Sequence, residues 1–226
     1  MTARGLFVTG TDTGVGKTRV AVALIHALRA AGLRVAAMKP VSAGSAPGGV
    51  NEDVAALLQA ANVPAEMRDV NPYAFEPAIA PHLAAQQAGA RIELGVIAEA
   101  YARLAARADV VVVEGAGGWR VPLNEREDMA DLAQRLALPV VLVVGLRLGC
   151  LNHALLTAES IAGRQVPWAG WVGNHIDPAM AQAAANLDAL RARLPGPCLG
   201  VQAFMADPAC STDAPPWLAL PKELAS

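Results

Sequence analysis

The chain has 226 residues with 18 Lys and Arg against 20 Asp and Glu, a net charge of −2. That balance offers no clustered cations for the phosphates of nucleic acid. Hydrophobic residues make up 54% of the chain, yet the longest apolar run, residues 136–146, is interrupted by Pro139 and Gly145 and is too short to span a bilayer.

At this length folding buries roughly 70% of the unfolded chain's surface, so a core can form without disulfides or structural metal. Cys150, Cys198 and Cys210 are widely spaced and form no C-x-x-C pair. They fit small buried hydrophobes in a reducing compartment. The residues before Asp12 lack the basic-then-apolar layout of a signal peptide, so a cytoplasmic protein is expected. His26, His82, His153 and His175 show no metal-ligand spacing, and no G-x-S-x-G is present.

Taken in order, residues 6–9 read as a strand and 17–31 as a helix; 35–39 as a strand, 42–49 as a Ser/Gly loop and 52–61 as a helix. Residues 71–81, with Pro72, Pro77 and Pro81, read as a loop. A helix at 93–108, a strand at 110–113, a helix at 128–136 and a strand at 140–144 follow. The last elements are a helix at 152–162, a strand at 169–172, a helix at 178–194 and a strand at 199–204, before a Pro/Ser/Asp segment at 207–216. This alternation predicts βαβ units feeding a parallel sheet, an α/β fold in one domain over residues 1–226. The strands at 110–113 and 140–144 are apolar throughout and should be covered on both faces.

The strongest chemical signal is GTDTGVGKT, Gly10 to Thr18, between the first strand and the first helix. Gly14 and Gly16 let backbone N–H groups turn onto phosphate oxygens, the helix N-terminus adds its dipole, Lys17 reaches the terminal phosphates and Thr18 offers a hydroxyl to Mg²⁺. The strict pattern wants glycine at Thr11, and Gly10 stands one residue early. The strand at 110–113 delivers Glu114 and a glycine turn at the sheet's carboxyl edge, suited to Mg²⁺ and to anionic groups, or else a solvated strand end. Lys39 in MKPV is either a cation facing a transferring phosphoryl group or a surface lysine. Asp53 is a second metal carboxylate or a helix-start acid. Gly149, Cys150, Leu151 and Asn152 open a helix with Asn152 as candidate N-cap, serving a carboxylate ligand or plain capping.

GTDTGVGKT, MKPV, Asp53, VEGAGGW, LGCLNH and AGWVGN resemble, in order and spacing over nearly the whole chain, the dethiobiotin synthetase family. The resemblance implies a three-layer P-loop NTPase-like fold, a mainly parallel sheet flanked by helices, with ATP and Mg²⁺ as cofactors. It implies closure of 7,8-diaminopelargonate with CO₂ to dethiobiotin: one amine forms a carbamate, its oxygen attacks the γ-phosphate, and the second amine attacks the resulting carbamic-phosphoric anhydride. Carried onto this chain, Lys17 and Lys39 become the cations on the transferring group, with Thr13 near substrate and γ-phosphate. Thr18, Asp53 and Glu114 become the metal set. Gly14, Val15, Gly16, Arg19, Gly115, Ala116 and Gly117 would contact the nucleotide. Asn174, beside His175, would read adenine while Ala203, Phe204 and Met205 close over the base. Ser42 and Ala43 would face the substrate. Gly149 to Asn152 of a second subunit would receive its carboxylate, making a homodimer with the site at the interface.

Three positions depart from the family. Ala43 stands where many members carry Ser or Thr, leaving Ser42 as the neighbouring hydroxyl; Gly14 stands where some carry Glu; Ala203 to Met205 replace Pro-Trp-Leu. The rival reading is a partition or cell-division ATPase switch acting on protein or membrane partners. That class carries an extra lysine early in the loop where this chain has Asp12, and the tail PPWLALPKELAS is no basic amphipathic helix.

Overall fold

Runs of valine form the centre of the molecule because β-branched side chains fit a pleated sheet covered on both faces. The computed structural model describes residues 4–46, 48–205 and 215–224. Its main sheet has six strands, all paired in parallel, in the order β2 (Val35–Met38), β5 (Val110–Glu114), β1 (Arg4–Gly10), β6 (Val140–Leu146), β7 (Trp168–His175), β8 (Cys198–Gln202). Side chains alternate between two cores. Leu6, Val8, Val110 and Val112 pack with α1 (Lys17–Ala30) and α2 (Glu52–Ala60). Phe7, Val111 and Val113 pack with α5 (Leu94–Ala105) and α6 (Met129–Leu136) on the opposite face. Beyond β6, that second layer continues as α7 (Cys150–Gly163) and α8 (Ala183–Arg193) over Leu142, Val144 and Trp171. This is the expected three-layer α/β arrangement. Val110 to Val113 are each 0% exposed, and full burial of such a side chain contributes roughly 1.5–3 kcal/mol.

Two stretches expected to be loops hold regular structure. β3 (Val41–Ala43) and β4 (Tyr73–Phe75) pair in parallel as a separate two-stranded sheet. Three-residue strands are too short for alternation to show, and prolines at 72 and 77 flank rather than enter β4. Pro81 ends no loop; it starts α4 (Pro81–Gln87) at a position where its missing N–H costs nothing. A single turn, α3 (Met67–Val70), precedes β4. α7 begins at Cys150 with Gly149 at its cap, φ 93°, so Asn152 sits inside the first turn and is not the N-cap. α8 starts at Ala183 rather than 178, after Gln182 at φ 56°, and α5 stops three residues short of 108, at Ala105. β8 stops at Gln202, leaving Ala203 to Met205 off the sheet. Cys150 is buried and Cys198 half-buried. Cys210 and all but the last two residues of the 207–216 segment lie outside the described residues. The tail's Leu218 bridges Gly200, and Leu224 joins the α1 core. Among the described residues no helix is long and apolar enough to cross a membrane.

α6 opens on a capping box. Asp128 accepts from the N–H groups of Ala130 and Asp131 at 2.9 and 3.0 Å, and Asp131 accepts from the Asp128 N–H at 2.8 Å. Arg164, which ends α7, pairs with Asp131. Burial alone would raise the Asp131 carboxyl, but the Asp128 N–H and the Arg164 guanidinium together hold it below its ordinary value. A lowered native-state value means stabilisation present above the unfolded value and lost as pH falls through the native one. Asp131→Ala should therefore cost on the order of 1 kcal/mol near neutrality, shrinking in acid; urea titrations giving equal losses at neutral pH and well below the carboxylate range would contradict this.

Candidate active site

β1 ends at Gly10, and α1 starts after only six further residues. Gly14 and Gly16 make that turn at φ 72° and 89°, angles costly for other residues. A Cβ on Gly16 would lie 2.1 Å from Asn174 Nδ2. No side chain caps α1 and no acid occupies its first turn, so its leading N–H groups and dipole offer a setting suited to an anion. Lys17 is buried and donates from Nζ to the Asp12 carbonyl at 2.9 Å. Burial, and after it the charge of Lys39, lower the Lys17 pKa to about 8. Thr13 lies at the crest of the loop, where its N–H donates to Asp12 Oδ1 at 2.7 Å.

Strand register brings the charged groups together. Met38 opposite Val113 sets Lys39 beside Glu114, and Val8 opposite Glu114 sets both beside the loop. Lys39 Nζ donates to Glu114 Oε1 at 2.5 Å and to Asp53 Oδ2 at 2.9 Å. Asp53 stands in the first turn of α2, where Asn51 caps the helix by accepting from the Asp53 N–H at 3.1 Å. Asp53 is thus both a helix-start acid and a member of the cluster. Lys39 is 4% exposed and Glu114 0%, so neither is the solvated residue that a strand end would allow. Burial pushes the Glu114 carboxyl up against the pull of Lys39. Burial would lower the Lys39 ammonium, but Glu114 and Asp53 outweigh it and hold it above the usual range. For Asp53 burial is likewise outweighed, mainly by Lys39, and its carboxyl is held low.

The same oxygens suit a hard divalent cation. Thr18 Oγ1 lies 2.7 Å from Asp53 Oδ1 and 2.9 Å from Glu114 Oε1, with one proton for two carboxylate acceptors. Glu114 Oε2 is buried without a partner among the described residues. Two carboxylates and a hydroxyl with unused acceptor capacity fit Mg²⁺, which typically completes its shell with phosphate oxygens and water.

A cleft of about 700 Å³ opens over these groups, lined also by Thr13, Arg19, Ser42, Ala43, Ala116 and Gly117. Gly117 takes φ 62° and a Cβ on Gly118 would stand 3.6 Å from the Gly10 carbonyl oxygen, so the glycine turn lies against the phosphate loop. Gly115 packs instead on Phe7 and Met129. Trp119 Nε1 donates to Ser160 Oγ at 3.1 Å and anchors the turn to α7. Sequence reasoning missed Asn51, Val121 and residues 78–81, which also line the cleft. Asn51 carried a legible signal, a capping residue two positions before Asp53; residues 78–81 were obscured by the prolines around them.

Other expected residues gather elsewhere. Asn174 is 2% exposed; its Nδ2 donates to the Val15 carbonyl at 2.9 Å, and its Oδ1 is buried without a partner among the described residues. His175, next on β7, is half-buried. Arg19 reaches towards the end of β8: Gln202, with its amide oxygen facing the guanidinium, accepts from Nε and Nη2 at 3.2 Å each, and Met205 Sδ lies 2.8 Å away. Ala203, Phe204 and Met205 are exposed there. Gly149, Cys150, Leu151 and Asn152 do not line the cleft. Their segment connects to it through Arg147, whose Nη2 donates to Asp12 Oδ2 at 2.5 Å.

A glycine-built phosphate loop, a buried lysine and a carboxylate pair at the carboxyl edge of a parallel sheet define a P-loop protein that uses a nucleoside triphosphate. Residues 4–202 match a family described as an AAA domain. The ATP-dependent dethiobiotin synthetase BioD of Nitrosospira multiformis is 54% identical over 198 residues, 88% of this chain and 87% of its own. Those of Pseudomonas paraeruginosa and Aromatoleum aromaticum are 55% and 51% identical, covering 89% and 91% of this chain and 90% and 94% of theirs. The chain belongs to the dethiobiotin synthetase family and is an enzyme. Among solved structures, the septum site-determining protein MinD of Pyrococcus horikoshii with Mg-ADP superposes with a TM-score of 0.53 at 16% identity, over 91% of this chain and 82% of that one. A chain of the MinC:MinD cell division protein complex of Aquifex aeolicus gives 0.56 at 14%, with the same coverage. At such identity the likeness is one of fold.

Gly16→Ala should displace Asn174 and strain the loop. Calorimetric titration with ATP is expected to show affinity lost, whereas Gly14→Ala, where a Cβ meets open space, suffers only the backbone cost of roughly 1–2 kcal/mol; equal behaviour of the two variants would remove the steric argument.

Proposed function

We propose that this cleft catalyses ATP-dependent ring closure of 7,8-diaminopelargonate with CO₂ to dethiobiotin, releasing ADP and phosphate, and that the chain works as one domain in the cytoplasm. The observation that carries the assignment of roles is the convergence of Lys17, Lys39, Thr18, Asp53 and Glu114 at one edge of the sheet. Residues 13–18 cradle the triphosphate, with Thr13 nearest the substrate; Asn174, His175 and the 203–205 segment hold the base, to which the unpartnered Asn174 Oδ1 offers an acceptor. Thr18, Asp53 and Glu114 hold Mg²⁺, which supplies neutralisation of phosphate charge.

The carbamate formed from one amine and CO₂ is already anionic, so no side-chain base is needed to generate the nucleophile. Lys39 and Lys17 stabilise the phosphoryl group as it moves from ADP to the carbamate oxygen. The second amine then attacks the anhydride carbon, phosphate departs, and the nitrogen's proton leaves with it or to water. The substrate carboxylate is taken by Gly149 to Asn152 of a second copy in a homodimer. Supporting this, that helix start stands outside the cleft, and Leu148 and Leu156 beside it are 95% and 57% exposed. The fold shared with MinD does not favour a switch, because Asp12, paired with Arg147, stands where the switch class carries its extra lysine.

The direct test is ADP release in the presence of Mg·ATP. Dependence on both diaminopelargonate and bicarbonate, with dethiobiotin formed, is expected; release stimulated by DNA or lipid vesicles alone would overturn the reading. Lys39→Ala should lower turnover by about 10²-fold or more with ATP affinity retained, since the phosphate loop and its Lys17 are left in place. Near-normal dethiobiotin production would take Lys39 out of the mechanism. Glu114→Gln should shift the Mg²⁺ requirement upward, and an unchanged titration would count against its ligand role.

A further inference from the structure

Lys39 leaves the main sheet where its support ends. Met38 is the last residue of β2 paired with β5, and Pro40 has no N–H to contribute. The backbone is held from the opposite side instead. The Lys39 N–H donates to the Val70 carbonyl at 2.8 Å, and the Tyr73 N–H donates to the Pro40 carbonyl at 3.2 Å. Between them, Asn71 Nδ2 donates to the Lys39 carbonyl at 2.6 Å and to the Tyr73 carbonyl at 3.2 Å, while Oδ1 accepts from the Ser42 hydroxyl at 2.9 Å. Asn71 is 7% exposed and Ser42 1%. Both amide hydrogens and the amide oxygen are therefore engaged away from water, and one side chain ties the exit of β2 to β3 and to the start of β4.

The position of Lys39 Nζ is determined from two ends, the carboxylates of Glu114 and Asp53 and the backbone behind it. To meet a phosphoryl group the ammonium must give up part of its hold on the carboxylates while its Cα stays in place. A slack backbone lets the whole residue follow Glu114. We infer that Asn71 is a positioning residue for the reaction: it fixes the Lys39 backbone so that the ammonium can serve the phosphoryl group. By accepting the Ser42 proton it also leaves that hydroxyl unable to replace, as a donor, the one missing at Ala43. The inference rests on the role proposed above for Lys39.

The experiment is a double-mutant cycle on substrate-dependent ADP release, with Asn71→Ala, Lys39→Ala and the pair. Asn71→Ala should lower kcat by about 10- to 100-fold, the scale of a small misplacement of a reacting group. KM for ATP should stay essentially unchanged, because the phosphate loop and Asn174 are untouched. The pair should be no slower than Lys39→Ala alone, as expected if Asn71 acts through the lysine. Asn71→Asp, of the same shape but without the Nδ2 donors, should give the same kcat–KM split and the same non-additivity, and it decides the matter where Asn71→Ala is too unstable to assay. Near-parental kcat, losses that multiply in the pair, or a fall in kcat accompanied by a matching rise in KM and a lower melting temperature would each overturn the inference. A slow Lys39→Ala with multiplying losses overturns the inference alone. A Lys39→Ala with near-normal turnover overturns the role of the lysine and the inference with it.

Discussion

Lys39 and Glu114, 2.5 Å apart and almost wholly removed from water, are the contact on which the site depends. Each charge taken into the interior costs several kcal/mol, returned only when geometry and hydrogen bonding are good. Here the geometry comes from apolar packing. The valines of β5, buried on both faces, fix its register against β1 and β2, and a slip of one residue would exchange the two faces and carry Glu114 away from Lys39. The core is therefore not a neutral support. Hydrophobic burial holds the ion pair in alignment, and the ion pair explains why a glutamate can end a strand that is otherwise all valine.

The strand order then decides what the pair faces. β1 lies between β5 and β6, so the loop leaving its carboxyl end sits over the reversal in connection direction, where ligands bind in open α/β sheets. The exit of β2, the turn after β5 and the loop after β1 all open on that edge. Gly118 passes against the Gly10 carbonyl, and Trp119 fastens the turn to α7 through Ser160. The helix that starts at Gly149 is thereby mechanically joined to the phosphate loop, by Trp119 near one end and by Arg147 to Asp12 at the other. On the α7 side these contacts run through Ser160 and Arg147, and on the other side through Trp119 and through Asp12, which lies inside the phosphate loop itself.

This arrangement was legible in the sequence wherever a single physical requirement dominated a stretch. Gly14 and Gly16 mark a turn that only glycine makes cheaply, and the all-apolar strands announce burial on both faces. Lys39 and Glu114 were readable as strand-end charges, but their burial was not, since that depends on the register between chain segments 75 residues apart. β3 and β4 stayed hidden because three residues cannot display a period. The contribution of Asn71 was hidden for a related reason: nothing local distinguishes an asparagine that caps a turn from one whose amide spans three strands. Asn152 misled in the opposite direction, since a good capping residue lay three positions inside a helix that a left-handed Gly149 had already begun.

The charges of the cleft also account for the chemistry it can do without a proton-abstracting side chain. Lys17 and Lys39 stand against Asp53 and Glu114, two basic groups facing two acidic ones. A bare triphosphate meets two carboxylates along with two ammonium groups, whereas a triphosphate that arrives with a divalent cation gives those carboxylates a partner and frees the lysines for phosphate oxygens. The low Lys17 pKa of about 8 belongs to this same picture, because burial disfavours its charge until an anion is bound nearby. In the proposed transfer, negative charge moves only a few ångströms, from the attacking carbamate oxygen through the γ-phosphoryl group to the departing ADP oxygen. Fixed cations already aimed at that path need not reorganise as it moves, and that preorganisation is the contribution a protein makes to a reaction whose nucleophile is charged from the start.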